Sequence, residues 1–187
     1  MAAFLRAAAT GRNVLVTFAV LAAVISSFGI YLIPAYQAVS GGTTPFDMQF
    51  PLSAEMVGIQ LALLTPQSLV AYTRFMIVDF IFPPIGAFFT VILWAWSLNR
   101  VAMPRWDGLF AAGAWVVPFL GAACDWVENV LFYRIVASAP QALPQTIDLV
   151  LTIHDAKLRL LTLSAAVTAA LLLTTAMTII WRWLRTR

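Results

Sequence analysis

The chain has 187 residues, of which 62% are hydrophobic and 10% are charged, against about 45–50% and about 25% in soluble globular proteins. A chain of this length cannot bury so much apolar surface in a core of its own, so we predict a membrane protein. The formal net charge of +3 includes no basic run, which argues against a nucleic-acid partner, and the lone Cys124 allows no internal disulfide. No Cys or His spacing typical of a metal site occurs, so we expect neither a metal nor a cofactor.

Four apolar segments are each as long as the ~20 residues that a bilayer requires. The first, at about 13–34, exceeds the ~7–15 residues of a signal-peptide core, so we predict that it is retained as a helix. The other three lie at about 68–99, 108–135 and 149–183. Two adjacent prolines, Pro83 and Pro84, are predicted to kink the second helix and to free backbone carbonyls near them.

The segment between the first two spans contains a further short helix at about 53–64. Ser53 is its predicted N-cap, and Thr65 followed by Pro66 begins the next helix. We expect the short helix to lie on the outer membrane surface or over the end of the bundle, although an ordinary packed connector fits equally well. The predicted fold is all-α, with residues 1–187 forming one transmembrane domain, a four-transmembrane-helix bundle with a short outer surface helix.

The positive charges predict the orientation of the chain. The two connecting segments at 35–65 and 136–148 contain no Lys or Arg. Arginines instead occur before the first helix, between the second and third, and after the fourth: Arg6, Arg12, Arg100, Arg105, Arg182, Arg185 and Arg187. Loops rich in Lys and Arg stay in the cytoplasm. We therefore predict a multi-pass protein of the bacterial cytoplasmic (inner) membrane with both termini in the cytoplasm.

Three acidic residues, Asp79, Asp125 and Glu128, lie inside the second and third predicted spans, where an ionisable side chain is costly and indicates a functional site. At ~100° per residue they share helix faces with other polar residues, and we predict that these faces point into the bundle. The predicted inward set is Tyr72, Asp79, Asp125, Glu128, Asn129 and Lys157. Arginines on the opposite faces are predicted to reach lipid headgroups as anchors: Arg74, Arg134 and Arg159.

The inward set contains three carboxylic acids and one base, Lys157. Either at least one carboxyl keeps its proton near neutral pH, or a cationic group fills the gap. His154 lies about one helical turn from Lys157 and could contribute such a charge, although a lone histidine near a helix start is more often an interfacial or capping residue. Counting residues from the tryptophans at the opposite helix ends places the inward charges near one depth, just under the outer surface.

The stretch LLTPQSLVAYTRFMIVDFIFPP, followed by D-W-V-E-N in the next span, resembles an uncharacterised family of small bacterial four-helix integral membrane proteins. The shared pattern is Tyr, then Asp-x-x-Phe-Pro in the second span and D-x-x-E-N in the third, carried here by Tyr72, Asp79, Phe82, Pro83, Asp125, Glu128 and Asn129. It covers roughly residues 45–160. Related sequences have a Gly-rich stretch before the tyrosine, where this chain has Thr65-Pro66-Gln67-Ser68. The resemblance implies a shared site and no particular reaction.

These residues support a site that binds or acts on a lipid-like amphiphile held in the outer leaflet. The candidate catalytic acids and bases are Asp79, Asp125 and Glu128. Tyr72 and Asn129 would orient the ligand, and Lys157 would balance charge or meet a phosphate. The same residues are compatible with binding alone or with an enzyme.

Three alternatives fit the same residues. The polar side chains could form only a clasp between helices, since hydrogen bonds in membranes contribute about 0.6 kcal/mol each on average yet confer specificity. The protein could also be a structural or accessory subunit of a larger membrane complex. Proton or cation translocation is the third, although the inner halves of the helices offer only a thin polar route of Ser164, Thr168 and Thr175. Membrane lipids are expected partners in every case.

Overall fold

The computed structural model describes residues 1–139 and 144–186, and every regular element in that part of the chain is helical. The predicted connection at 136–148 therefore lies partly outside the described residues. The helices are α1 Ala2–Ala8, α2 Gly11–Gln37, α3 Ala54–Leu63, α4 Pro66–Asp79, α5 Phe82–Arg100, α6 Pro104–Ala111, α7 Val116–Ala137 and α8 Pro144–Arg185. A π turn, Phe28–Leu32, interrupts α2, and a 3-10 helix, Phe46–Met48, precedes α3.

Within residues 1–139 and 144–186, three helical units are long and apolar enough to cross a membrane. They are α2, the α4–α5 pair and α8, with 27, 35 and 42 residues. The α6–α7 pair passes the same test as a fourth unit but is bent by 48° between its two helices. The predicted all-α, multi-pass architecture is therefore confirmed at the level of three or four candidate spans.

The third predicted span, at 108–135, is wrong as a single straight helix. The chain turns between α6 and α7, where Gly113 adopts a φ of 110°, a conformation that residues with a side chain rarely occupy. The turn is closed by the N–H of Gly113, which donates to the Phe110 carbonyl at 3.2 Å, and by that of Ala114, which donates to the Leu109 carbonyl at 3.0 Å. The bend was not predicted, because the residues on both sides of the turn are apolar and give the hydropathy pattern of one continuous span.

The interruption between α4 and α5 follows from Pro83 and Pro84, as predicted. Proline has no N–H, so the carbonyls of Asp79 and Phe80 lose the donors that a continuous helix would supply four residues on. The indole N–H of Trp126, on α7, donates to the Phe80 carbonyl at 2.7 Å and replaces one of them. The break lies directly beyond Asp79, which therefore ends α4 with its side chain buried in the bundle.

Helix α5 is central and packs against α2, α7 and α8, while α7 and α8 pack closely on each other. Helix α4 packs against α7 and against the final stretch of α2. Phe46, in the segment before α3, stacks on Phe132 of α7 with ring centroids 5.4 Å apart. Other fully buried aromatic residues in the same core are Tyr36, Tyr72 and Phe75. This aromatic core holds the irregular segment before α3 against the helices.

Both predicted caps around α3 are confirmed. The Ser53 side chain accepts a hydrogen bond from a backbone N–H in the first turn of α3, and Thr65 and Ser68 form a reciprocal capping box at the start of α4. Helix α3 packs against α8 and buries Val57 and Leu61. Its other side exposes apolar residues, namely Met56, Ile59 and Leu63.

We predict that Trp126→Phe lowers the free energy of unfolding by about 1 kcal/mol, the usual net contribution of one hydrogen bond. In a Pro84→Ala background the restored backbone N–H can bond the Phe80 carbonyl, so the same substitution should then have a much smaller effect. A double-mutant cycle of unfolding in detergent measures this difference. Equal effects of Trp126→Phe in the two backgrounds would show that the indole does not serve the freed carbonyl.

Candidate functional site

Among the described residues, polar side chains from α4, α7, α8 and the segment before α3 come together beside the end of α4. We name this group the polar cluster, and its members are Asp47, Asp79, Asp125, Glu128, Asn129, His154 and Lys157. Five of them belong to the predicted inward set. His154 was considered only as a possible contributor beside Lys157, and Asp47 was not expected there. Tyr72 of the predicted set lies instead in the aromatic core, and its buried hydroxyl has no hydrogen-bond partner in the described part of the chain.

Lys157 brings a positive charge into the cluster, and its side chain is almost entirely buried. Its Nζ lies 3.0 Å from Asp125 Oδ1 and forms an ion pair with Glu128 Oε2. It also donates to the backbone carbonyl of Asp47 at 3.4 Å. An ammonium has three N–H donors, and these three oxygen atoms are the acceptors that the described residues place around Nζ.

His154 is buried and bonded on both ring nitrogens, which corrects the expectation of an interfacial or capping residue. Its Nε2 lies 3.1 Å from the backbone carbonyl of Gln49, which can only accept, so Nε2 carries a hydrogen. Its Nδ1 lies 2.5 Å from Glu128 Oε1. One further proton must lie in this contact, either on an imidazolium facing a carboxylate or on a carboxyl facing a neutral imidazole. In both forms the Glu128–His154 pair has no net charge.

Asn129 connects two acids on neighbouring helices. Its Nδ2 donates to Asp79 Oδ2 at 2.6 Å and to Asp125 Oδ2 at 3.3 Å, so the amide bridges α4 and α7. The other amide atom, Oδ1, is buried and has no partner among the described residues. The D-x-x-E-N motif thus places a neutral donor between two carboxyl groups and leaves one acceptor unused.

Asp47 is a member of the cluster that the sequence did not indicate. Its Oδ1 is out of contact with solvent and has no hydrogen-bond partner among the described residues, although the residue as a whole is half-buried. Burial raises the pKa of the Asp47 carboxyl well above its ordinary value, and the neighbouring Asp79 carboxyl adds to the rise, while Lys157 opposes it. The sequence signal that could have indicated Asp47 was a single acidic residue between Phe46 and Met48, with Pro45 and Phe50 close by.

The charges of the cluster do not balance. The Glu128–His154 pair is neutral overall, and Lys157 offsets Asp125. Asp47 and Asp79 then have no cationic partner among the described residues, since Asp79 is bonded only by the neutral Asn129 amide. The site therefore carries two carboxyl groups that must hold protons or face a cation.

A cavity of about 450 Å³ lies between α2 and α8 beside the polar cluster. Its polar wall is made by Asp47, Asp79, Asp125 and Lys157. Its apolar wall comes mainly from α2 and α8, including Ile25, Phe28, Gly29, Ile33, Leu158 and Leu161. Of the predicted site residues, Asp79, Asp125 and Lys157 thus border the cavity. Glu128 and Asn129 lie behind them and bond to them.

The three arginines predicted to point outward are all exposed. Arg159 pairs with Asp155 at 2.7 Å one turn away on α8, and both side chains are largely exposed. Arg74 and Arg134 likewise lie outside the polar cluster. Their exposure separates them from the cavity, and anchoring at the membrane boundary stays a prediction.

Comparison with protein-family models, with curated proteins and with solved structures gives no match for this chain. The resemblance to small bacterial four-helix membrane proteins therefore stays a prediction based on the quoted motifs. Within residues 1–139 and 144–186, no group of three or more His, Cys, Asp or Glu side chains is placed to hold a metal ion.

We predict that Asp47→Asn stabilises the ligand-free protein at about pH 8. The unfolded chain ionises Asp47 above about pH 4, whereas the folded protein raises the pKa and resists ionisation. The carboxyl therefore lowers stability as the pH rises above about 4. Thermal unfolding in a neutral detergent should show a gain in Tm of about 2–4 °C, as about 1 kcal/mol gives in a domain of this size.

The gain in Tm should disappear as the pH falls towards and below about 4, because the wild-type carboxyl then becomes protonated in the unfolded as well as the folded chain. Wild type and variant then both carry a neutral side chain at this position. Asp148→Asn, at an exposed position near the start of α8, is the matched control and should leave Tm unchanged. An equal gain from Asp47→Asn at both pH values would contradict the assignment of Asp47 to the buried cluster.

Proposed function

We propose that the chain is a four-transmembrane-helix bundle of a bacterial cytoplasmic membrane, with both termini in the cytoplasm and α3 on the outer surface. The bent α6–α7 pair serves as the fourth span. The arginine distribution supports this orientation, because the segment that carries α3 has no Lys or Arg. The exposed apolar residues Met56, Ile59 and Leu63 of α3 suit an interface with lipid. The Tyr-Asp-Phe-Pro and D-x-x-E-N motifs support a place among the small bacterial four-helix membrane proteins.

The polar cluster is proposed to bind a lipid-like amphiphile. The observation that carries this proposal is the cavity between α2 and α8, which joins a wall of carboxyl groups and Lys157 to a wall of apolar side chains. Its volume of about 450 Å³ falls in the range of about 300–1,000 Å³ typical of ligand pockets. A ligand that fills it must have a polar end and an apolar end, which is the definition of an amphiphile.

The residues of the site divide into two groups by their access to the cavity. Asp79, Asp125 and Lys157 border it and would contact the ligand directly. Glu128 and Asn129 hold these groups in position through the ion pair to Lys157 and the bridge between Asp79 and Asp125. If the site also catalyses a reaction, Asp79 and Asp125 are the acid and base in reach of the ligand.

A polar clasp between helices is the second candidate function. It is favoured by the bonds that cross from helix to helix, because Asn129 joins α4 to α7 and Lys157 joins α8 to α7. A clasp needs no cavity and no unpaired carboxyl group, whereas Asp47 and Asp79 border open space. Membership of a larger complex and translocation of protons or cations stay predictions from the sequence.

Filling the cavity tests the amphiphile proposal. A Cβ atom added at Gly29 meets no atom within 4 Å, so Gly29→Phe can place a ring in the cavity without displacing the backbone around it. We predict that wild-type protein, extracted gently in a neutral detergent, retains a lipid-like molecule in native mass spectrometry. Gly29→Phe should lower the retained fraction by about tenfold, equivalent to about 1.4 kcal/mol of binding free energy.

Gly108→Phe is the matched control, since a Cβ atom there also meets no atom within 4 Å and the residue does not border the cavity. This variant should retain the molecule as the wild type does. A wild-type protein that never retains an amphiphile, or a folded Gly29→Phe variant that retains it undiminished, would overturn the proposal.

A further inference from the structure

The described groups that line the cavity are hydrogen-bond acceptors or are already paired. The Lys157 ammonium is paired with Asp125 and Glu128 and donates to the backbone carbonyl of Asp47. Asp47 also lines the cavity, and its Oδ1, which is out of contact with solvent, has no partner among the described residues. A molecule that enters next to these groups must therefore donate hydrogen bonds, because buried acceptors left without a donor cost free energy.

The charge of the site points to the same kind of group. Asp79 and Asp47 both border the cavity, and each is left without a cationic partner among the described residues. They lie close enough that the Asp79 carboxyl disfavours ionisation of Asp47. An incoming phosphate, sulfate or carboxylate would add negative charge beside two acids, which is unfavourable in a low dielectric. A cation would instead neutralise them.

An apolar path leads away from these acids. A second cavity of about 500 Å³ borders the first and shares Ile25, Phe82, Asp125 and Leu161 with it. Most of its lining is aliphatic or aromatic, with small residues that widen it, such as Gly86, Ala87, Gly121 and Ala165. A hydrocarbon chain whose polar end lies at Asp47 and Asp79 can continue along α2 into this space.

We infer that the amphiphile bound by this site carries a protonated amine as its head, with the ammonium between the carboxylates of Asp47 and Asp79 and the chain directed towards the second cavity. The inference rests on the proposed function, since it names the chemistry of the ligand of that same site. An ammonium supplies both the positive charge and the N–H donors that the two carboxyl groups lack. The Lys157 ammonium already pairs with Asp125 and Glu128. Binding of a second cation therefore depends on the carboxyl groups of both Asp47 and Asp79.

A series of probes with one chain and different heads tests the inference. Hexadecylamine, hexadecanol and palmitate are titrated separately into the purified protein in a neutral maltoside detergent, and the bound fractions are measured by native mass spectrometry. Hexadecylamine should bind at least about tenfold more tightly than hexadecanol, as about 1.4 kcal/mol from charge-assisted hydrogen bonds would give. Palmitate should bind most weakly. Butylamine, with the same head and little chain, should bind far more weakly than hexadecylamine.

The variants Asp47→Asn and Asp79→Asn should each lower the affinity for hexadecylamine by about tenfold and leave that for hexadecanol unchanged. Asp148→Asn, at an exposed position, should change neither. Asp79→Asn removes a partner of Asn129 and its folding is checked by thermal unfolding. Asp47 Oδ1 has no hydrogen bond to lose among residues 1–139 and 144–186, so Asp47→Asn gives the same readout with the described contacts intact.

The failures of the two proposals are distinguishable. If hexadecanol or palmitate binds as tightly as hexadecylamine and Gly29→Phe blocks them, the site holds amphiphiles but the amine inference is overturned. If butylamine binds as tightly as hexadecylamine, the site takes a soluble amine and the inference is also overturned. If no long-chain probe binds and Gly29→Phe has no effect, the amphiphile proposal itself fails.

Discussion

A buried ammonium must find its hydrogen-bond acceptors inside the protein, and Lys157 meets this requirement with groups from two other parts of the chain. Two carboxyl groups come from α7, and a backbone carbonyl comes from the segment before α3. Removing one partner of a buried charge costs roughly 3–5 kcal/mol, so α7, α8 and this segment are held in one arrangement. Because Lys157 pairs with Asp125 and Glu128, Asp47 and Asp79 have no cationic partner in the part of the chain that the structure describes.

Hydrogen bonds to the polar cluster and apolar packing both hold the segment before α3 in its position. His154 donates to the Gln49 carbonyl, and the Gln49 and Gln60 side chains exchange amide hydrogen bonds of 2.8 and 3.0 Å that tie the segment to α3. Phe46 anchors it from the other side through its stacking on Phe132. An irregular segment fixed in this way can present Asp47 to the cavity as reliably as a helix presents its own side chains.

Helical periodicity accounts for what the sequence could predict. The spans, the interruption at Pro83 and Pro84, and the inward position of five polar residues all follow from local rules of hydropathy, proline chemistry and residue spacing. Asp47 was not predicted as a site residue, because an irregular segment has no periodicity from which the direction of a side chain can be inferred. Tyr72 was placed correctly on the inward face, but its ring meets aromatic side chains from distant parts of the chain. The bend at Gly113 depends on a backbone angle that a glycine permits without requiring.

The π turn in α2 couples the cavity to the aromatic core through helical register. The N–H of Ile33 bonds to the carbonyl of Phe28, five residues back, so this turn accommodates one residue more than an α-helical turn. Phe28 and Gly29, within it, border the cavity, while Tyr36, one turn beyond it, is fully buried in the aromatic core. Each residue in an α-helix advances the direction of the side chains by about 100°. The extra residue therefore sets the direction of Tyr36 in the aromatic core relative to the cavity residues Ile25, Phe28 and Gly29. Shortening the chain there by one residue would change the direction of one group relative to the other by about 100°.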